Sequence, residues 1–235
     1  MGYQSGRKPR FGDSDPFDFG KRSPHAHDVH GIDVAKYQGA IDFAHARANG
    51  VSFAFLKATE GGDRVDDNFS SNWTKAKAAG LPRGAYHFFY FCRSAAEQAK
   101  WFIRNVPREA AALPPVLDME WNPQSPSCKI RPPADKVRSE MRVFLQMVER
   151  HYGKKPIIYT TPDFFEDNGL ASFKGYGWWL RATNEHPDAK YDNHPWLFWQ
   201  YTGTGRVPGV KGDADINVFR GDGKSWRAWL AANAG

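Results

Sequence analysis

From residue 30 onward, short apolar runs alternate with stretches of helical period. "HGIDVAKY", "SFAFLKATEG", "RGAYHFFYF", "LPPVLDMEW" and "KPIIYTT" read as strands, and each is followed by a helical segment. In "SAAEQAKWFIRNV", Ser94 stands three residues before Glu97, the spacing of a capping box. The longest helical pattern, "PPADKVRSEMRVFLQMVERHYG", puts Val137, Met141, Phe144, Leu145 and Val148 on one stripe. The pattern then changes. "GWWLRAT", "PWLFWQYT" and "ADINVF" read as strands whose connections are too short for full crossover helices. Five strand–helix units followed by three strands predict an α/β fold with a largely parallel sheet. The strands are apolar runs rather than alternations, so both sheet faces are buried. Eight strands suggest closure into an irregular TIM-like barrel of (βα)5β3 type, with helices missing from its last third. Residues 1–29 lack this periodicity and are rich in Gly, Pro, Asp, Arg and His. They read as a polar N-terminal arm, partly disordered, ahead of a single barrel domain over residues 30–235.

The composition fits that picture. Of 235 residues, 41% are hydrophobic and 15% aromatic, enough for a sizeable core. The net charge of +6 favours an anionic partner, but no dense Lys/Arg block marks a nucleic-acid surface, and none is expected. No apolar run is long enough to span a membrane. The polar start "MGYQSGRKPRFGDSD" has no apolar signal core.

The sharpest chemical feature is "PVLDMEWNP". Residues i and i+2 of a strand share a face, so Asp118 and Glu120 project together, roughly 6.6 Å apart along the backbone. They stand where the apolar run ends, and the C-terminal strand ends of such sheets carry active sites. Asp33 lies in "GIDV", Glu60 ends "KATEG" and Asp215 lies in "DADINVF", so four strands deliver acids toward one rim. Carboxyls gathered in one cleft push each other's pKa values apart, which leaves a protonated acid beside ionised partners. Glycosidic cleavage needs that combination. Met119, between the two acids, turns to the packed side of the strand.

The ordered set "HGIDVAKYQGAIDF", "FAFLKATEGG", "AAGLPRGAYHFFYF", "PVLDMEWN", "PIIYTT" and "FWQYTGTGRVPGVKGDADINVFRG" closely resembles the family-25 glycoside hydrolases, lysozymes that act as N-acetylmuramidases. The match runs from about residue 30 to 221. The resemblance implies an enzyme that cleaves the β-1,4 bond between N-acetylmuramic acid and N-acetylglucosamine in peptidoglycan glycan strands, as an exported monomer without metal or organic cofactor. It makes Glu120 the general acid, protonated near neutral pH, and Asp118 its ionised assistant, acting directly or through the substrate's 2-acetamido group. Asp33 and Asp215 become supporting acids. Tyr86, Tyr159, Trp199, Gln200 and Tyr201 become groove-lining residues, and Glu60 a supporting group. Arg181 departs from the pattern, since the family usually has a smaller residue there.

Other features qualify the reading. Trp178 and Trp179 face opposite ways, so one can reach the groove, and Trp179 is carried as a substrate-binding candidate. Trp226 and Trp229 read as a helix face packed on the barrel. Cys92 and Cys128 follow neighbouring strands, which would bring both to one rim and allow a disulfide there. His25, His27 and His30 match no zinc spacing. A chitinase-like hydrolase would carry acids where Leu113 and Val116 stand. A non-catalytic glycan-binding protein on the same scaffold would be expected to lack one of the four acids.

Overall fold

A computed structural model describes residues 9–234. The chain runs β1 (Gly12–Asp13), β2 (His30–Val34), α1 (Phe43–Ala48), β3 (Val51–Glu60), β4 (Arg64–Val65), α2 (Phe69–Ala78), β5 (Arg83–Phe88), α3 (Ala95–Asn105) and β6 (Val116–Met119). It continues through α4 (Ala134–Tyr152), β7 (Ile157–Thr160), α5 (Pro162–Asp167), β8 (Gly177–Arg181), α6 (Pro187–Lys190), β9 (Phe198–Arg206), β10 (Ala214–Phe219) and α7 (Gly223–Asn233). Strands β2, β3, β5, β6, β7, β8 and β9 pair in parallel in that order. β10 closes the ring by pairing antiparallel with both β9 and β2. The result is the expected closed eight-stranded barrel. Helices α1 to α5 follow the first five barrel strands, whereas β8 and β9 are joined through a single helical turn and β9 and β10 without a helix.

Strand alternation divides the core in two. Phe53, Phe55, Val116, Ile157, Trp179, Phe198 and Phe219 fill the barrel interior. The intervening Ala54, Leu56, Leu117, Met119, Ile158, Leu180 and Val218 face the helices. The interior is tight: a Cβ added to Gly31 would lie 2.4 Å from the Phe53 ring, so only glycine fits opposite that phenylalanine. On the outer layer, the predicted α4 stripe of Val137, Met141, Phe144, Leu145 and Val148 is completely buried. The side chains of Ser94 and Glu97 form the expected reciprocal cap on α3. Trp226 of α7 packs against Phe53 and Phe219 and stacks on Trp229, plugging the interior at the end opposite the acids.

The arm has a structural role that composition did not reveal. β1 pairs antiparallel with β9, and Phe11 and Phe19 pack on the outer core. The Phe19 ring sits edge-on to Trp199 at 5.0 Å. The arm thus covers the strand faces that no helix covers. The expected partial disorder lies, for residues 1–8, outside the described residues; residues 9–29 are largely exposed and held through β1, Phe11, Phe19, Pro24 and Val29. No helix among the described residues is long and apolar enough to cross a membrane.

Candidate active site

Asp33, Lys57, Tyr86, Asp118, Tyr159, Trp179, Arg181, Gln200 and Asp215 occupy inward positions on β2, β3, β5, β6, β7, β8, β9 and β10. Together with Glu120, just beyond β6, they line a cleft of about 380 Å³. The location follows from strand parity: Val116 is interior packing, and the next inward positions along the same chain are Asp118 and Glu120, at the open end. Met119, completely buried, faces the helices as expected.

Beneath the acids lies a hydrogen-bonded floor. Asp33 and Asp215 are direct partners across β2 and β10. Asp33 Oδ2 accepts from Gln200 Nε2 at 2.9 Å and from Asn217 Nδ2 at 2.8 Å. Tyr159 Oη donates to Gln200 Oε1 at 2.8 Å, and Trp179 Nε1 donates to Asn217 Oδ1 at 2.7 Å. Each amide is therefore held in one orientation, with its NH2 on the carboxylate. Asn217 was missed in the sequence, although it stands two residues after Asp215 and so shares its face. Two other lining residues also went unassigned. Tyr37, 78% exposed, offers a ring at the mouth, and Phe88 lies under Lys57 Nζ, 5.0 Å from the ammonium.

Burial raises the pKa of all four acids. Glu120 is pushed up to about 7, mainly by burial; the Arg181 guanidinium opposes the rise and Asp163 adds to it. Asp118 lies well above the carboxylate range through burial and then the charge of Glu120. Asp215 is raised to about 8 by burial and then by Asp33. In Asp33, burial outweighs the bonds from Asn217 and Gln200, which favour the ionised form. For Glu120 the direction is the one a general acid needs, whereas for Asp118 burial and the Glu120 charge oppose the expected ionisation. Asp118 Oδ1 is buried and accepts no hydrogen bond, so no donor holds its charge. Burial and the acids keep the Tyr86 and Tyr159 hydroxyls protonated, as donors.

Other candidates fall outside the cleft. Trp199 and Tyr201 flank Gln200 and so point outward. Trp199 Nε1 donates to the Ala182 carbonyl at 2.7 Å, and Tyr201 Oη meets His30 Nδ1 at 3.2 Å under the arm. Alternation along β9 gives the groove only Gln200 of that triplet. Trp178 packs on Phe165 in the helix layer, whereas Trp179 stacks on Phe55 at 4.6 Å in the interior. Glu60 stands at the rim and holds Lys57 Nζ at 2.6 Å. Cys92 and Cys128 form a disulfide with Cα atoms 5.8 Å apart. With Glu60 and Tyr90, the disulfide borders a neighbouring depression of about 280 Å³ rather than the acid cleft itself. His25 stacks on His30 and His27 packs edge-on to Trp196, so these rings secure the arm.

Comparisons with known proteins agree with this fold. Residues 32–210 match the glycosyl hydrolases family 25 profile. The uncharacterized protein YegX of Escherichia coli (strain K12) is 38% identical over 218 residues, covering 90% of this chain and 77% of its own. Lysozyme M1 of Streptomyces globisporus is 38% identical over 206 residues, covering 82% and 68%. The structure of a family 25 glycosyl hydrolase from Bacillus anthracis superposes with a TM-score of 0.79 at 35% identity, over 92% of this chain and 98% of that one. The chain belongs to glycosyl hydrolase family 25 and is a glycoside hydrolase.

Proposed function

We propose that this enzyme is a lysozyme-type peptidoglycan hydrolase that cleaves the β-1,4 bond on the reducing side of N-acetylmuramic acid, with Glu120 as general acid and Asp118 orienting the substrate's own 2-acetamido group. The observation that carries this reading is the buried, unpartnered Asp118 Oδ1 two residues from a glutamate pushed up to about 7. An acetamido N–H is a donor that such an oxygen lacks. With that bond made, the acetamido oxygen attacks the anomeric carbon as the glycosidic bond breaks, and Glu120 delivers its proton to the leaving oxygen. Water then opens the resulting ring at the anomeric carbon, Glu120 takes the proton, and configuration is retained. Asp33 and Asp215 place a hydrogen-bonding carboxyl pair near the anomeric centre. Tyr86 donates to a sugar oxygen, Tyr159, whose proton is given to Gln200, can accept from a sugar hydroxyl, and the Tyr37 ring offers a stacking face. Gln200 and Trp179 act through the floor beneath them.

The substrate lies outside the cell membrane, and a disulfide-bonded enzyme suits that oxidising side. One chain carries all four acids, so a monomer suffices. Glu120→Gln should lower wall lysis by about 10²–10⁴-fold while leaving the fold and glycan binding intact. The check is mass spectrometry of peptidoglycan fragments from both proteins. Near-wild-type release of fragments ending in N-acetylmuramic acid would overturn the role of Glu120. Equal cleavage of glycans lacking the acetamido group would overturn the substrate-assisted route.

A further inference from the structure

Two cations line the cleft, Lys57 and Arg181, and they are engaged very differently. Lys57 is occupied: its ammonium bonds Glu60 at 2.6 Å and lies over the Phe88 ring, and the side chain is 13% exposed. Arg181 ends β8. The alternation that buries Trp179 inside the barrel and turns Leu180 to the helices brings Arg181 back over the cleft mouth, where it is exposed. Among the described residues its guanidinium enters no ion pair within 4.0 Å and makes no hydrogen bond. Only its backbone carbonyl is used, accepting from Tyr191 Oη at 2.7 Å. It is nevertheless near enough to oppose the raised pKa of Asp33, Glu120 and Asp215.

An arginine beside four acids would be expected to fold down onto one of them. This one is held by its strand within reach of their field but without direct contact. Its five N–H donors are therefore free to bind a group in the cleft that it lines. Carboxyls raised by burial offer an anionic substituent no countercharge, so an anionic substrate needs one cation free to receive it. Muramyl residues carry such substituents: a lactyl carboxylate where the stem peptide is absent, and peptide carboxylates where it is present.

We infer that Arg181 is a specificity-determining residue that binds a carboxylate on the muramyl side of the glycan, as a bidentate guanidinium–carboxylate pair. This rests on the peptidoglycan reading above. It makes the enzyme a reader of glycan charge as well as of sugar identity.

Three glycan strands of equal length test this: peptide-free with the lactyl carboxylate, peptide-free with that carboxylate converted to a primary amide, and with intact stem peptides. Rates are measured at pH 5, below the range in which removing Arg181 would shift the Glu120 titration. Arg181→Ala should raise KM about tenfold or more on a carboxylated strand, with KM on the amidated strand changed less than about twofold and kcat largely kept. Arg181→Lys should restore part of the loss, as a point charge without the fork. A KM effect on the peptide-free acid identifies the lactyl group as the source, and an effect confined to the third strand identifies the stem peptide. An equal KM change on carboxylated and amidated strands would overturn the proposal, as would a change in kcat alone. Wild-type cleavage of the amidated strand keeps the hydrolase reading intact when that happens. Failure of wild type to cleave all three would overturn both.

Discussion

A single buried oxygen organises the chemistry at the residue scale. Asp118 Oδ1 is buried without a protein hydrogen-bond partner, whereas Asp33 Oδ2 has two fixed donors. The two aspartates thus differ by what the strands beside them supply. Glu120 differs again, because burial raises it while Arg181 restrains it at about 7. A general acid must be protonated to act, so kcat/KM should fall as pH rises through about 7, a limb that reports the free enzyme. Arg181→Ala should move that limb upward, because a cation that favours the ionised carboxylate is gone. A pH–rate profile of both proteins checks this; a downward or absent shift would contradict the electrostatic reading. Asp118 and Glu120 could be read from the sequence because i and i+2 share a face. Asn217 obeys the same rule beside Asp215, but an amide in a strand raises no alarm until its partners are seen.

At the scale of elements, covalent and noncovalent devices complete what the (βα) units leave open. The arm replaces helices over β9 and β10, with Phe19 on Trp199 and β1 on the β9 edge. This is why Trp199 and Tyr201 are structural: their strand presents them to the arm while presenting Gln200 to the acids. The Cys92–Cys128 bond ties the loop after β6 to the turn after β5 across a separation of 36 residues. Closing such a loop contributes about 3–4 kcal/mol in the chain-entropy model. For a domain of this size, Cys92→Ser with Cys128→Ser should lower Tm by about 6–16 °C. An unchanged Tm in thermal denaturation would show that the loop is held by its noncovalent contacts alone. The disulfide was foreseeable because adjacent parallel strands bring successive loops to one rim. The arm was not foreseeable, because its few aromatic anchors have no period.

Across the whole molecule, the active-site acids and the buried histidines give stability opposite pH dependences. Glu120 and Asp215, at about 7 and 8 when folded, lie above their ordinary values. Their contribution is full below about pH 4 and is lost as pH rises through 7 to 8. His30, depressed to about 3, and His87, to about 4, do the reverse. Their contribution is present above about 6.5 and is lost as pH falls from there through about 4 and 3. Tm should therefore be highest in mildly acidic solution and fall between about pH 6.5 and 8. Asp215→Asn should flatten that fall and exceed wild type at pH 8–9; parallel curves in thermal denaturation would refute this. The sequence alone determined the number and order of the eight barrel strands, their apolar character, the missing late helices and the pair of acids, because periodicity and i, i+2 spacing are local; the short β1 and β4 carry no such pattern. Only the tertiary structure decided which cation stays unpaired, which aromatic faces the groove and which donors reach Asp33. Those depend on barrel closure, which brings β2, β8, β9 and β10 side by side and fixes the inward parity of each.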